Sequence, residues 1–118
     1  MDQLHINGLR CYGYTGYLPE ETRLGQWFEI SLTLWLDLTQ AAQSDRLEDT
    51  ADYRQVIDAA RSVVEQQVFK TVERLAGAIA QSLLDLDRFS QVQVRLTKLS
   101  PPIPNFSGSI TVELKRSR

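Results

Sequence analysis

From Gln26 to Leu38 apolar and polar residues alternate without a break. Phe28, Ile30, Leu32, Leu34 and Leu36 fall on one side; Trp27, Glu29, Ser31, Thr33, Trp35 and Asp37 fall on the other. A period of two over this length predicts a strand with one face against a core. The opposite face mixes polar groups with two tryptophans, a surface suited to meeting another subunit. Residues 3–14 predict an earlier strand, in which Leu4 and Ile6 alternate, Gly8 intervenes, and Leu9 and Cys11 resume one position out of phase. A glycine that shifts the alternation by one residue predicts a β-bulge. Val92, Val94 and Leu96 mark a third strand to about Leu99, broken by Ser100-Pro101-Pro102-Ile103-Pro104, and Ile110, Val112 and Leu114 mark a fourth.

Between the two strand pairs the period changes. Tyr53, Val56, Ile57, Ala60, Val63, Val64 and Val68 follow helical spacing, with Asp52 placed to cap the start. Thr71 can cap a second helix carrying Val72, Leu75, Ile79, Leu83 and Leu86. Residues 39–50 hold a short helical turn around Ala41-Ala42 and an acidic loop, and Leu18 to Arg23 reads as a polar loop. The order is therefore ββααββ. It predicts an α+β fold, a four-stranded antiparallel sheet with two helices on one face, and a single domain over residues 1–118. Neither a doubly wound sheet nor the βαββαβ order of ferredoxin-like RNA binders fits. Four strands leave two long edges. The strand from Gln26 is regular and free of proline, and edges of that kind require partner strands, so self-association is expected.

Composition narrows the chemistry. Thirteen Lys and Arg stand against 15 Asp and Glu, a net charge of −2, which argues against a phosphate-backbone partner. One cysteine, Cys11, and one histidine, His5, cannot build a Cys cluster or a three-His zinc site in one chain. Cys11 reads as a small buried residue. Met1 to His5 lacks the basic and apolar regions of a signal peptide, and no apolar run approaches a membrane span, so the expected compartment is the cytoplasm with no membrane partner. No dinucleotide fingerprint, P-loop or Ser-His-Asp set is present.

What remains are polar residues at the ends of elements. Lys98 closes the third strand ahead of a stiff Pro-Pro pair, where an amine can serve as general acid or base. Glu73 falls in the first turn of the second helix, where the dipole favours a carboxylate and two acceptor oxygens can meet two parallel donors. Tyr53 opens the first helix after Asp49-Thr50-Ala51-Asp52 and can stack on a ring or relay a proton. Each also has a plainer reading: a solvated lysine, a carboxylate complementing a dipole, a phenol at the core margin. Glu20 and Glu21 alone read as solvated loop residues.

Taken in order, these segments resemble the dihydroneopterin aldolase family along nearly the whole chain. The residues that carry the resemblance are Leu9-Arg10-Cys11-Tyr12-Gly13-Tyr14-Thr15-Gly16, Glu21 with Gly25-Gln26, and Ala41-Ala42 with Ser44-Asp45 and Asp49-Thr50 before Tyr53. Val72-Glu73-Arg74-Leu75-Ala76 and Thr97-Lys98 with Pro101-Pro102-Ile103-Pro104 complete them. The resemblance implies the tunnelling fold, in which sheets join edge to edge into an oligomeric barrel and two rings stack into a homo-octamer. It implies a pterin site at the subunit interface, bound by Glu73 with Val72 and walled by Ala51, Asp52 and Tyr53, with Lys98, Tyr53 and Glu21 as the catalytic set. It further implies retro-aldol cleavage of dihydroneopterin in folate biosynthesis without metal, cofactor or lysine imine, and leaves side-chain epimerisation open. Thr15 and Asp52 stand where many relatives carry His. The zinc-binding sibling 6-pyruvoyl tetrahydropterin synthase does not fit a chain with one histidine. Dihydroneopterin triphosphate epimerase, and a non-catalytic oligomeric module of the same fold, stay open as alternatives.

Overall fold

The computed structural model describes residues 1–118. Strands β1 (Asp2–Gly13), β2 (Gln26–Leu36), β3 (Gln91–Lys98) and β4 (Ile110–Ser117) form one sheet in the order β1-β2-β3-β4, each neighbour antiparallel. Helices α1 (Pro19–Leu24), α2 (Thr39–Ser44), α3 (Tyr53–Gln66) and α4 (Val72–Leu84) complete the chain, with a single 3-10 turn at Leu47–Asp49. The four-stranded antiparallel α+β architecture expected from the alternation is the one observed, and α3 and α4 cover the apolar face of the sheet.

The inward face of β2 is buried at Phe28, Ile30, Leu32, Leu34 and Leu36. It meets Val92, Val94 and Leu96 of β3 and the apolar stripes of the helices: Val56, Ala60, Val63 and Val64 of α3, and Leu75, Ala76, Ile79, Ala80 and Leu83 of α4. Each fully buried side chain of this size contributes about 1.5–3 kcal/mol. Both expected helix caps form. The Asp52 side chain accepts from the Arg54 N–H at 3.0 Å, and Thr71 Oγ1 accepts from the Arg74 N–H at 3.2 Å. The bulge expected at Gly8 is present: the β1–β2 register shifts between Ile6 and Leu9, and Gly8 takes a φ of 71°. Cys11 is buried in the core, and burial pushes its thiol above its ordinary value.

Two expectations change. Residues 19–24, expected as loop, form α1: Pro19 fits the first helical position, Glu20 and Glu21 lie in the first turn, Arg23 in the last, and Gly25 ends the helix at a φ of 72°. Strand β2, expected to offer an edge, lies inside the sheet between β1 and β3; the free edges belong to β1 and β4. The chain is also elongated, with extents of 52 × 24 × 22 Å and a radius of gyration of 15.4 Å. A compact globule of this length has about 13.5 Å.

Candidate active site

The alternation that builds the core also builds the site. On β3 the inward residues are Val92, Val94 and Leu96, and the next in step is Lys98. On β2 the inward run ends towards the N-terminus at Phe28, and the next in step is Gln26. Phe28 pairs with Lys98 across the sheet, and Gln26 pairs with Gly13. Both polar side chains are thus aimed at the helix-covered side, at the end of the sheet where the apolar layer stops. An amine in that position is partly desolvated and requires a counter-charge.

Helix α1 supplies it. Glu21 is buried, 6% exposed, although it sits on a surface helix of six residues. Its Oε2 accepts from Lys98 Nζ at 2.6 Å and from Gln26 Nε2 at 2.9 Å, while Oε1 accepts from the Leu18 N–H at 3.2 Å. The Lys98 side chain is 15% exposed. Burial pushes the Glu21 carboxyl up, but the bonds from Lys98, Gln26 and Leu18 and the Lys98 charge outweigh it, and the net shift is downward. Close packing at Gly16 makes the approach possible, since a Cβ there would lie 2.4 Å from the Cβ of Glu21. A cleft lined by Glu20, Glu21, Gly25, Gln26, Ser100 and Pro102 opens beside the pair.

Glu73 lies at the same end of the molecule. The segment leading into α4 is tied to the loop after β1: the Gly16 N–H donates to the Phe69 carbonyl at 2.9 Å, and the Phe69 N–H donates to Thr15 Oγ1 at 3.2 Å. Glu73 follows in the first turn of α4, exposed, its carboxylate in no hydrogen bond or ion pair within the chain. Val72 beside it is half-buried. Thr15 is wholly buried and serves as the anchor of this junction.

Tyr53 is elsewhere. Gly13 packs against Val64, so the C-terminal part of α3 lies at the Lys98 end of the sheet. The helical rise then puts Tyr53 about 16 Å away along the axis, towards the opposite end. The residue is 56% exposed, and its phenol makes no hydrogen bond in the chain. Ala51, buried, and Asp52, half-buried, lie beside it; the Asp52 carboxyl is held below its usual range by the Arg54 guanidinium. One chain therefore brings together Glu21, Lys98 and the start of α4, and leaves Tyr53 with Ala51 and Asp52 apart. Glu21, Glu73, Lys98 and Tyr53 are not all brought together within one chain.

Gln26, which joins the Glu21–Lys98 pair, is not among the residues singled out for chemistry from the sequence. The signal was available: it is the polar residue that continues an otherwise apolar inward register, as Lys98 does on β3. A four-stranded antiparallel sheet with two helices on one face, and a buried carboxylate–amine pair at its end, define the class: an α+β protein with a polar site where the apolar layer stops. Comparison with known proteins gives the particular family. The family model for dihydroneopterin aldolase matches residues 4–115. A Synechocystis protein named "Probable dihydroneopterin aldolase" is 48% identical over 118 residues, covering 100% of both chains. The dihydroneopterin aldolase of Bacillus subtilis is 39% identical over 121 residues, covering 100% of this chain and 99% of its own. The crystal structure of the Escherichia coli dihydroneopterin aldolase in complex with neopterin superposes with a TM-score of 0.90 at 26% identity, over 99% of this chain and 100% of that one. The chain belongs to the dihydroneopterin aldolase family.

Proposed function

We propose that the protein cleaves 7,8-dihydroneopterin by a retro-aldol reaction into 6-hydroxymethyl-7,8-dihydropterin and glycolaldehyde. The observation that carries this reading is the Glu21–Lys98 pair, 2.6 Å apart and buried at the end of the sheet. The neopterin complex of the E. coli relative supports the substrate class. Glu73 anchors the pterin: its two carboxylate oxygens accept from two parallel N–H groups of the amino-pyrimidinone edge. A proton leaves the side-chain hydroxyl, the adjacent C–C bond breaks, and glycolaldehyde departs. The electron pair of that bond passes into the ring C=N, whose nitrogen takes a proton. The resulting enamine is then protonated on carbon, and the ring nitrogen gives up its proton as the C=N bond is restored. Because the ring accepts the electrons, neither a metal nor a lysine imine is required of the protein. Lys98 carries the proton between the two half-steps, Glu21 holds the amine in place, and Tyr53 assists.

Tyr53 reaches this site from a second copy of the chain. The free edges of β1 and β4, the elongated protomer and the exposed Tyr17, Leu18, Leu24 and Trp27 near α1 support assembly into a homo-octamer of two tetramer rings. Ala51 and Asp52 of that second copy then form the pocket wall. Incubation with 7,8-dihydroneopterin tests the reading. Stoichiometric release of glycolaldehyde and 6-hydroxymethyl-7,8-dihydropterin is expected, and recovery of unchanged substrate would refute it.

A further inference from the structure

The Gln26 amide touches two acceptors. Its Nε2 donates to Glu21 Oε2 at 2.9 Å and to the Thr15 carbonyl at 3.3 Å. Its Oε1 is buried and has no partner. Turning the amide over would set Oε1 against both acceptors, so only the observed orientation is attractive on that side. An orphaned carbonyl oxygen is costly in a buried setting, and the side chain keeps it in order to deliver both N–H groups. Thr15 is itself wholly buried, with Oγ1 accepting from the Phe69 N–H. A continuous chain of hydrogen bonds thus runs from Phe69, at the approach to α4, through Thr15 and Gln26 to Glu21 and Lys98.

We infer that Gln26 is a positioning residue, which pins Glu21 Oε2 against the Lys98 amine and is itself oriented by the Thr15 carbonyl. The inference rests on the aldolase reading above. Gln26 does not touch the reacting atoms; it acts through Glu21. With Oε2 occupied by a fixed N–H, the carboxylate stays anionic and keeps one geometry while Lys98 exchanges its proton. Lys98 is the charged group that faces Glu21; Glu20 and Arg23, on the same helix, are exposed.

The test uses Gln26→Met, which keeps the volume and removes the amide, beside Gln26→Glu. Both variants are checked for assembly by light scattering. For Gln26→Met, kcat is expected to fall about tenfold with KM changed by less than about threefold. The Glu21 carboxyl, followed by carbon-13 NMR in the free protein, is expected to titrate at higher pH, and the acid limb of the rate profile to move with it. Gln26→Glu should move it further in the same direction, since two adjacent carboxylates compete for one proton. If Gln26→Met does not fold, the Gln26→Glu titration decides alone. An unchanged Glu21 titration would overturn the inference whatever happens to the rate. Failure of the wild-type protein to release glycolaldehyde would sink the reaction instead, and the titration would still decide the role of Gln26.

Discussion

Replacing Lys98 by Met separates a buried ion pair from a surface one. The substitution keeps the length of the side chain and removes the charge. Glu21, 5% exposed at its side chain, then retains the donors from Gln26 and Leu18 but loses its counter-charge. Removing one partner of a buried pair costs about 3–5 kcal/mol, because the other charge is left uncompensated. In the native chain the Glu21 carboxyl titrates below its ordinary value of 4.5. The carboxylate therefore stabilises the fold above that pH, and the contribution is lost as pH falls through the native value. Without Lys98 the hydrogen bond and the charge that hold the carboxyl down are both lost, while burial still pushes it up, so it titrates higher than in the native chain. The deficit of the variant is therefore largest at neutral pH and shrinks as acid supplies Glu21 with a proton. Urea unfolding at one fixed protein concentration, at neutral pH and at about pH 5, measures both deficits, the fixed concentration being needed because assembly contributes to stability. Turnover should fall by about 10²–10⁴ while pterin affinity holds, since the proposed mechanism gives the anchoring to Glu73. A stability deficit below about 1 kcal/mol that does not change with pH would place the pair among ordinary exposed salt bridges and refute the reasoning.

Glu73→Gln replaces one acceptor by a donor against the pterin edge, and affinity by calorimetry should drop roughly ten- to a hundredfold with a smaller effect on the chemical step. Lys98→Met and Tyr53→Ala oligomers, each impaired alone, should regain activity when unfolded together and co-assembled, because some interfaces then pair an intact Lys98 with an intact Tyr53; no recovery would place both groups in one protomer's site. Turnover should survive exhaustive chelation, and borohydride with substrate should trap no adduct at Lys98; loss of activity restored by zinc, or a trapped lysine adduct, would contradict electron acceptance by the ring.

Local pattern carried the sheet. The inward register of β2, the Gly8 bulge and both caps follow from neighbours a few residues apart. Which strands are edges does not, because that depends on pairings such as Phe28 with Lys98, seventy positions distant. Helix α1 has fewer than two turns, too short for an apolar period, so Glu21 looked like a solvated loop residue. Pro19 and Gly25, read as helix punctuation, would have indicated it. Lys98 was legible as a candidate by its place before the Pro-Pro pair, but its partner was not, since Glu21 lies on another element. Tyr53 was legible as a helix-start phenol. Its distance from Lys98 was not, because it depends on the direction in which α3 crosses the sheet. No helix is long and apolar enough to cross a membrane.

The placement of Lys98 and Gln26 on the inward register couples folding fidelity to chemistry. A one-residue slip of β3 against β2 turns every side chain of the strand to the other face. It would expose Val92, Val94 and Leu96 and, in the same movement, swing the Lys98 amine away from Glu21. On the proposed mechanism a mispaired chain is not a slow enzyme; it has no site at all. Specific activity would then count the chains in the correct register. A selection for turnover alone would purge register errors without any separate pressure on stability.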